Sequence, residues 1–566
     1  MKKKINKPKI ALVASTDITI SAFFRNHIKY LLKQYSVVVI TNYKKNNFLK
    51  EVSGDINIIY LPISRGISLF LDIYCLIKLF FIFIKIKPSL IFSCTPKAGL
   101  ICGICSFSLN IKNLHIFTGQ VWVTKKGLSK ILLKQIDKLT AYVSNYLLAD
   151  SFSQKDFLIR NRITNTSKIS VLGNGSISGV NTEIFQPNIN YRKKIRTKLN
   201  IDQNTYLIIY VGRLTKDKGI FDLINAFEKV LNLRINANLL IVGNDEENIR
   251  EKILNQNFDF NNKIYFEDFT DKPEQYMAAA DLFCLPSYRE GFGMAAVEAG
   301  SCGLPVITSK IYGLTDAVEE GVTGLMHPPG DVQAICDQIF YLYNNKKLAF
   351  QMSKEGRERA KNLYNFNNVS LNLFKYIENK IQNILNPKKK LAIIASTSLS
   401  ISCFLINHVN NFSKYYDVTI ITKIDSIHNL DKKLNKTCNL INLNFNRNIN
   451  LSSDIISLIN LTFHLFRKKY DCVLTFTPKG GLLGMIASFI CRTKYRIHWF
   501  GGQVWVNKIG FIKYILKSFD KLISILSTNA LTECESQKTF LQEEMIVKNN
   551  YLKVLGNGSI CGVDTL

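Results

Sequence analysis

Short apolar runs alternate along this chain with longer segments whose apolar residues recur every three or four positions. That alternation predicts a parallel β-sheet with crossover helices. In the first third, IALVAS, VVVIT, SLIFSC, LHIF and YLLAD read as strands, while Phe23 to Lys33, residues 67–86 and the stretch from Lys97 read as helices. A linker from Gly179 to Asn190, with Pro187 inside it, closes this series. A second series opens with LIIYVG, the loop RLTKDKG and the helix FDLINAFEKV. It continues through LLIVG, IYFED, DLFCLPS, a glycine-rich turn, a helix after Met294 and PVITS. A charged helical tail from Ser353 to Leu385 leads to the run Pro387-Lys388-Lys389-Lys390.

The pattern of the first third then returns. KIALVAST from Lys9 recurs as KLAIIAST from Lys390, and Thr95-Pro96-Lys97 recurs as Thr477-Pro478-Lys479. Gly119-Gln120-Val121-Trp122 recurs as Gly502-Gln503-Val504-Trp505, and LGNGSISGVNT from Leu172 as LGNGSICGVDT from Leu555. The offset stays close to 382, so one large unit is duplicated rather than a solenoid of short repeats. Three α/β domains are expected: 1–185, 186–387 and 388–566, the third repeating the first. The first two are doubly wound and face a cleft, because ligands of such sheets bind at the carboxyl ends of the strands.

Composition changes this picture little. The apolar fraction is 47% and the formal charge +30, with Lys and Asn spread throughout. A solvated basic surface is the plainest reading and attraction to anionic lipid or a phosphate-bearing substrate the second; no basic and aromatic nucleic-acid module is present, so no nucleic-acid partner is expected. The thirteen cysteines lack metal or disulfide spacing except Cys102-x-x-Cys105, whose counterparts are Gly484 and Ala487, so small residues are wanted there and a reducing cytoplasm follows. The basic start followed by an apolar run resembles a signal peptide, yet it recurs internally and reads as a first strand. Residues 67–86 carry Asp72, Lys78 and Lys85 and read as an amphipathic helix rather than a membrane span.

Two loops carry candidate chemistry. In Gly212-Arg213-Leu214-Thr215-Lys216-Asp217-Lys218-Gly219, backbone N–H groups, fixed cations and a helix start converge, which suits a diphosphate, although a charged surface turn would look the same. In Glu290-Gly291-Phe292-Gly293-Met294-Ala295-Ala296-Val297-Glu298, the glycines admit close approach of a ligand, and the helix opening at Met294 offers unpaired N–H groups. Carboxylates such as Glu290 and Glu298 accept the hydrogen bonds of sugar diols, though Glu298 also reads as an ordinary helix residue.

Taken together, these loops resemble the retaining nucleotide-sugar glycosyltransferases of family 4, which have the GT-B fold of two Rossmann-like domains. Arg213 and Lys218 match that family's G-R-x4-K, and Glu290 with Glu298 its E-x7-E. The resemblance covers residues 9 to about 385 as a whole enzyme and 390–566 as an N-terminal domain. It implies that Arg213, Lys218 and Glu290 are catalytic, the two cations neutralising the departing diphosphate. It implies donor binding by Gly212, Gly291, Phe292, Gly293, Met294 and Glu298, with no metal.

The first domain resembles the narrower group of capsule, O-antigen and glycan-assembly transferases through TPKAGL, FTGQVW, ADSFSQKDFL and LGNGSISGVNTEIF. Lys97, His115, Gly119 and Gln120 are the acceptor-side candidates. Lys97 either meets an acceptor phosphate or simply starts a helix; His115 either touches a sugar or is a satisfied strand histidine; Trp122 either stacks on a sugar or packs. Unlike many members, the chain has Ser15-Thr16-Asp17 in its first loop instead of glycines, and Asn181 where Asp564 stands in the repeat.

The expected activity is transfer of a hexose or N-acetylhexosamine, from a nucleotide diphosphate with uridine the expected base, to a polyprenyl-diphosphate-linked glycan. The expected location is cytoplasmic, peripheral on the inner face of the membrane, with the basic charge and the helix after Gly66 against anionic lipid. A nucleotide-sugar epimerase and a non-catalytic lipid-glycan scaffold are the alternatives. Residues 388–566 contain no counterpart of Arg213, Lys218, Glu290 or Glu298. They read as part of a truncated two-enzyme fusion, as a broken duplication, or as an acceptor- or membrane-docking module.

Overall fold

The structure is a computed structural model describing all residues except 1–6, 43–55, 65, 67, 257–260, 386, 425–437, 446–449, 548–551, 557 and 559–566. The chain divides into two compact units, Met1–Ile384 and Leu385–Leu566.

The first unit holds two parallel sheets. One runs β3-β2-β1-β4-β5-β6-β7, from β1 (Lys9–Ala14), β2 (Ser36–Thr41), β3 (Asn57–Tyr60), β4 (Leu90–Cys94), β5 (Asn113–Phe117), β6 (Tyr146–Ala149) and β7 (Ile169–Val171). The other runs β10-β9-β8-β11-β12-β13, from β8 (Tyr206–Val211), β9 (Ala237–Val242), β10 (Ile264–Glu267), β11 (Leu282–Leu285), β12 (Val306–Ser309) and β13 (Gly324–His327). Central β1 is apolar at consecutive positions because helices cover both faces of a parallel sheet. It pairs with β2 on one side and β4 on the other, and the order reverses there, opening the crevice expected of such sheets.

The helical tail does not stay with the second sheet. The helix Phe366–Leu385 buries Leu373, Ile377 and Ile381 in the core of the first sheet, and Asn26 Nδ2 donates to the Ser370 hydroxyl over 2.8 Å. The chain therefore crosses between domains twice, and the crossings run side by side. Val180 N–H donates to Tyr364 O (2.7 Å) and Phe366 N–H to Val180 O (3.0 Å). Gly179, at φ +68°, lets them meet, since a Cβ there would lie 2.7 Å from Phe366 Cα. The sequence places one linker here; the structure adds the segment 364–366, which pairs with it through a single bridge at Asn365.

The second unit repeats the first sheet as β16-β15-β14-β17-β18-β19-β20, from β14 (Lys390–Ile394), β15 (Asp417–Thr422), β16 (Asn439–Asn442), β17 (Cys472–Phe476), β18 (Tyr495–Phe500), β19 (Asn529–Thr532) and β20 (Leu552–Val554). The architecture is α/β with three Rossmann-like parallel sheets. Among the described residues no helix is long and apolar enough to cross a membrane. Residues 67–86 contain the helix Leu69–Ile86, whose buried face is Cys75, Leu79 and Phe83. Its outer face is also largely apolar, which amphipathicity alone does not account for.

Candidate functional site

The loops after β5 and β6 meet the loop after β11 where the first two sheets face one another. The backbones touch: a Cβ on Gly119 would lie 3.1 Å from both Glu290 C and Gly291 N, and one on Gly291 would lie 2.9 Å from Gly119 N. Neither position admits a side chain without displacement, so glycine on both sides permits the approach. Arg289 ties it down by donating to Gly119 O (2.9 Å) while bonding the Asp217 carboxylate (2.6 Å). Further bonds line the seam. Ser151 donates to Gly291 O, Ser153 bonds Asp316, and the rings of Phe157 and Tyr312 stack at 4.3 Å.

Beside this seam the second sheet delivers its charges. The loop after β8 folds into a tight turn over Lys216–Lys218, and Gly219, at φ +71°, starts the helix Ile220–Asn232. Lys218 Nζ reaches Glu290 Oε1 at 2.5 Å, and Ser287 donates to the same oxygen at 3.0 Å. Arg213 pairs with Glu246 at 2.8 Å. Burial pulls the Arg213 guanidinium pKa down, but the carboxylates of Glu246, Asp217 and Glu290 more than offset this and hold it raised. Gly212 lies against the buried Tyr210 hydroxyl, which donates to Arg213 O and so orients the loop.

Phe292 is buried edge-on to Tyr364, and Gly293 at φ +92° turns the chain into the helix Met294–Ser301. Side-chain capping is absent at that helix start, so its first N–H groups are available to an anion. Met294 receives the Ser176 hydroxyl on its sulfur. Glu298 lies deeper in the helix; burial, with a smaller contribution from Glu274, pushes its carboxyl up to about 7. Its electrostatic partner is thus Glu274 rather than the Lys218–Glu290 pair.

The acceptor-side candidates are distributed unequally. Gly119 is in the seam. Gln120 is beside it, with its amide donating to Thr118 O (2.7 Å) and accepting from Gln154 (3.3 Å). Lys97 follows Thr95, which holds φ +83° with its hydroxyl 2.7 Å from that of Ser15. Its ammonium pairs with Asp72 at 2.6 Å, and Lys479 with Asp454 in the repeat at 2.7 Å. His115 is buried under the helix Pro96–Leu109, bonded to Ser93 (2.9 Å) and packed on Gly99. Burial lowers its pKa to about 4. The structure brings Arg213, Lys218, Glu290, Gly291, Gly119 and Gln120 together and keeps His115 in the core. Trp122 packs too, donating to Asp137 (2.8 Å) and stacking on Phe157.

Two site residues escaped the reading of the sequence. Arg289 adjoins Glu290 and carries a cation into the seam. Asp150 directly follows β6, 5% exposed; its Oδ1 has no hydrogen-bond partner among the described residues, and burial raises the carboxyl to about 8. A usable signal existed, because the repeat keeps an acid there as Glu533, also raised by burial.

Comparison with known proteins identifies the family. Residues 191–359 match the family model for glycosyl transferases group 1. The capsular polysaccharide biosynthesis glycosyltransferase CapM of Staphylococcus aureus is 33% identical over 347 residues, covering 60% of this chain and 89% of CapM. The chain belongs to the group 1 glycosyltransferases.

A second relative of this glycosyltransferase is the UDP-Gal:alpha-D-GlcNAc-diphosphoundecaprenol alpha-1,3-galactosyltransferase of Escherichia coli. It is 27% identical over 311 residues, 54% of this chain and 78% of that protein. Among solved structures, sucrose-phosphate synthase from Thermosynechococcus elongatus superposes with a TM-score of 0.56 at 21% identity, covering 66% of this chain and 99% of its own. Anabaena HepE gives 0.55 at 18%, covering 66% and 100%. These likenesses show the GT-B fold of the glycosyltransferase.

Proposed function

We propose that this glycosyltransferase moves a hexose or N-acetylhexosamine from a uridine-diphosphate sugar to a polyprenyl-diphosphate-linked glycan of a surface polysaccharide, with retention and without a metal. The observation that carries the reading is the Lys218–Glu290 pair lying against the Gly119–Gly291 seam. A cation for the leaving diphosphate and a carboxylate for sugar hydroxyls share one point, beside an uncapped helix start. Two relatives support the substrate class: one acts in capsular polysaccharide biosynthesis, the other is a galactosyltransferase named for a diphosphoundecaprenol-linked acceptor.

In the proposed step the bond from the anomeric carbon to the diphosphate oxygen breaks and its electron pair stays on that oxygen. Lys218, Arg213 and the helix start at Met294 neutralise the charge, preorganised so that little reorganisation is needed. An acceptor hydroxyl oxygen bonds to the anomeric carbon from the face the diphosphate leaves, and its proton passes to the departing phosphate oxygen. Glu290 holds donor-sugar hydroxyls, and Glu298 serves the nucleotide ribose. On the acceptor side, Gly119 and Gln120 offer backbone and amide, with Lys97 near the lipid diphosphate. The lysine-flanked apolar helices after Gly66 and Gly127 of the first unit rest on the anionic cytoplasmic face of the membrane, where such an acceptor resides.

The test is a panel of uridine-diphosphate sugars incubated with the full chain and synthetic polyprenyl-diphosphate sugars, read by mass spectrometry, with the anomeric configuration read by NMR. Acceptor-dependent extension with retention, lost in Lys218→Ala and Glu290→Gln, supports the proposal. Acceptor-independent conversion of the donor would replace it with an epimerase. Acceptor binding without donor turnover would replace it with a scaffold.

A further inference from the structure

Both units leave an apolar, lysine-studded helical face open, and we propose that residues 388–566 form a second membrane-docking module, giving one chain two attachments to an anionic bilayer. This rests on the membrane reading of the first unit and assigns a role to the repeat.

In the first unit the face is built from three neighbouring helices, Leu69–Ile86, Pro96–Leu109 and Gly127–Val143. Cys105 Sγ donates to Leu76 O between the first two, and the rings of Phe107 and Tyr142 lie 6.4 Å apart between the last two. The second unit repeats them as Leu451–Lys468, Pro478–Ile490 and Gly510–Leu526.

The two copies have drifted in a telling direction. Exposed apolar positions of the first helix stay apolar: Ile73 is Ile455, Ile77 (53% exposed) is Ile459 (61%), and Phe81 (63%) is Phe463 (65%). Half-buried positions have turned polar instead, with Leu71, Phe80 and Ile82 becoming Ser453, Thr462 and His464. Solvation alone favours the opposite drift. Only Phe70, replaced by Ser452, follows solvent among the exposed apolar residues of this helix. On the third helix Leu128, Ile131 and Tyr142 become Phe511, Tyr514 and Ile525, all strongly exposed. Hydrophobicity is kept while shape is exchanged. A fluid lipid phase accepts that exchange, whereas a close-packed protein pocket is sensitive to it.

Charge selects the same occupant. Residues 68–145 carry ten lysines and two aspartates, and both aspartates are engaged internally, Asp72 by Lys97 and Asp137 by Trp122. Residues 450–528 carry eleven lysines and arginines against three aspartates, with Asp454 held by Lys479 and Asp520 by Trp505. Lys130 and Lys513 sit at equivalent exposed places among the apolar residues. Such faces are attracted to anionic lipid, and tethering two of them in one chain raises the effective concentration of the second.

The test is flotation of the full chain with vesicles of phosphatidylcholine mixed with phosphatidylglycerol. Three variants are compared: Ile77→Asp with Phe81→Asp, Ile459→Asp with Phe463→Asp, and all four together. Each pair should lower partitioning by about tenfold or more, and the four together should abolish it. If the second-unit pair floats like the parent while the first-unit pair is lost, the second module is refuted and the membrane reading stands. If neither pair matters, the membrane reading itself falls. Unchanged thermal melting shows that the variants fold; a second-unit pair that melts early is replaced by Lys513→Glu with Lys521→Glu and a first-unit pair by the equivalent Lys130→Glu with Lys138→Glu, and each replacement must also weaken flotation. Equal flotation with phosphatidylcholine alone would overturn the assignment to anionic lipid.

Discussion

Lys218 Nζ lies 2.5 Å from Glu290 Oε1, joining the loop after β8 to the loop after β11 across a half-buried site. Each charge satisfies the other, and in the proposed reaction both face the donor. Because they act as a unit, their losses should not add. Lys218→Ala should lower kcat by about 10² to 10³, the range for removing one preorganised donor to a developing anion. Glu290→Ala should be comparable, and the double variant no worse than the poorer single. Steady-state sugar transfer by the three variants measures this; fully multiplicative losses would mean independent roles.

The closeness of Gly119 and Gly291 gives a steric prediction with an internal control. A methyl at Gly291 would lie 2.7 Å from Asp150 Oδ2 and 2.9 Å from Gly119 N, so the domains must separate slightly. Gly291→Ala should therefore cut kcat/KM by about tenfold to a hundredfold, as misplacement by a fraction of an ångström to one ångström does. Gly119→Ala, with its nearest neighbours at 3.1 Å, should lose less. The equivalent Gly502 has nothing within 4 Å of its Cβ position, and Gly502→Ala should leave turnover unchanged. Kinetics on the three substitutions decide the point.

Much of this was readable from local pattern. The strand runs and the two motif loops are each encoded within about ten consecutive residues, where alternation, glycine and charge speak directly, and the duplication shows as matching short blocks at one constant offset. What sequence did not disclose depends on residues far apart in the chain. The helix Phe366–Leu385 looks like a tail of the second domain but packs its apolar stripe on the first, and nothing in a stripe names its partner. Lys97 reads as an open cation until Asp72, twenty-five residues earlier, is brought beside it. Asp150 draws no reading of its own, because burial between two domains leaves no trace in its neighbours. His115 and Trp122 read as ligands or as core, with core the plainer reading, until Ser93, Gly99 and Asp137 close around them.

His115 offers a test of that last ambiguity. A methyl at Gly99 would overlap the His115 ring, so Gly99→Ala should destabilise the first unit by about 1 to 3 kcal/mol through overpacking. His115→Ala alone leaves a cavity and should also destabilise. Combined, the added methyl occupies part of that space, and the double variant should be more stable than the sum of the singles allows. Urea unfolding of the four proteins gives the coupling. Retained sugar transfer in the double variant would place His115 outside the sugar site.

Asp150 carries a pH dependence of defined sign. Burial raises its carboxyl to about 8, whereas an aspartate in the unfolded chain titrates near about 3.9. Between those values the folded form holds a proton that the unfolded form has lost, so this group's contribution falls as pH rises, by up to about 1.4 kcal/mol per unit. Above the folded value both forms are ionised and the slope ends. Asp150→Asn keeps shape and removes titration, so it should gain on the parent progressively between about pH 4 and pH 8 and then level off. His115 acts oppositely: its folded value near about 4 lies below its unfolded value, so its contribution is lost as pH falls through that interval. Urea midpoints of parent and Asp150→Asn at acidic, neutral and mildly alkaline pH separate the two. A constant difference between the proteins across that range would mean that Asp150 is ionised in the folded protein and that a partner for its Oδ1 reaches it there.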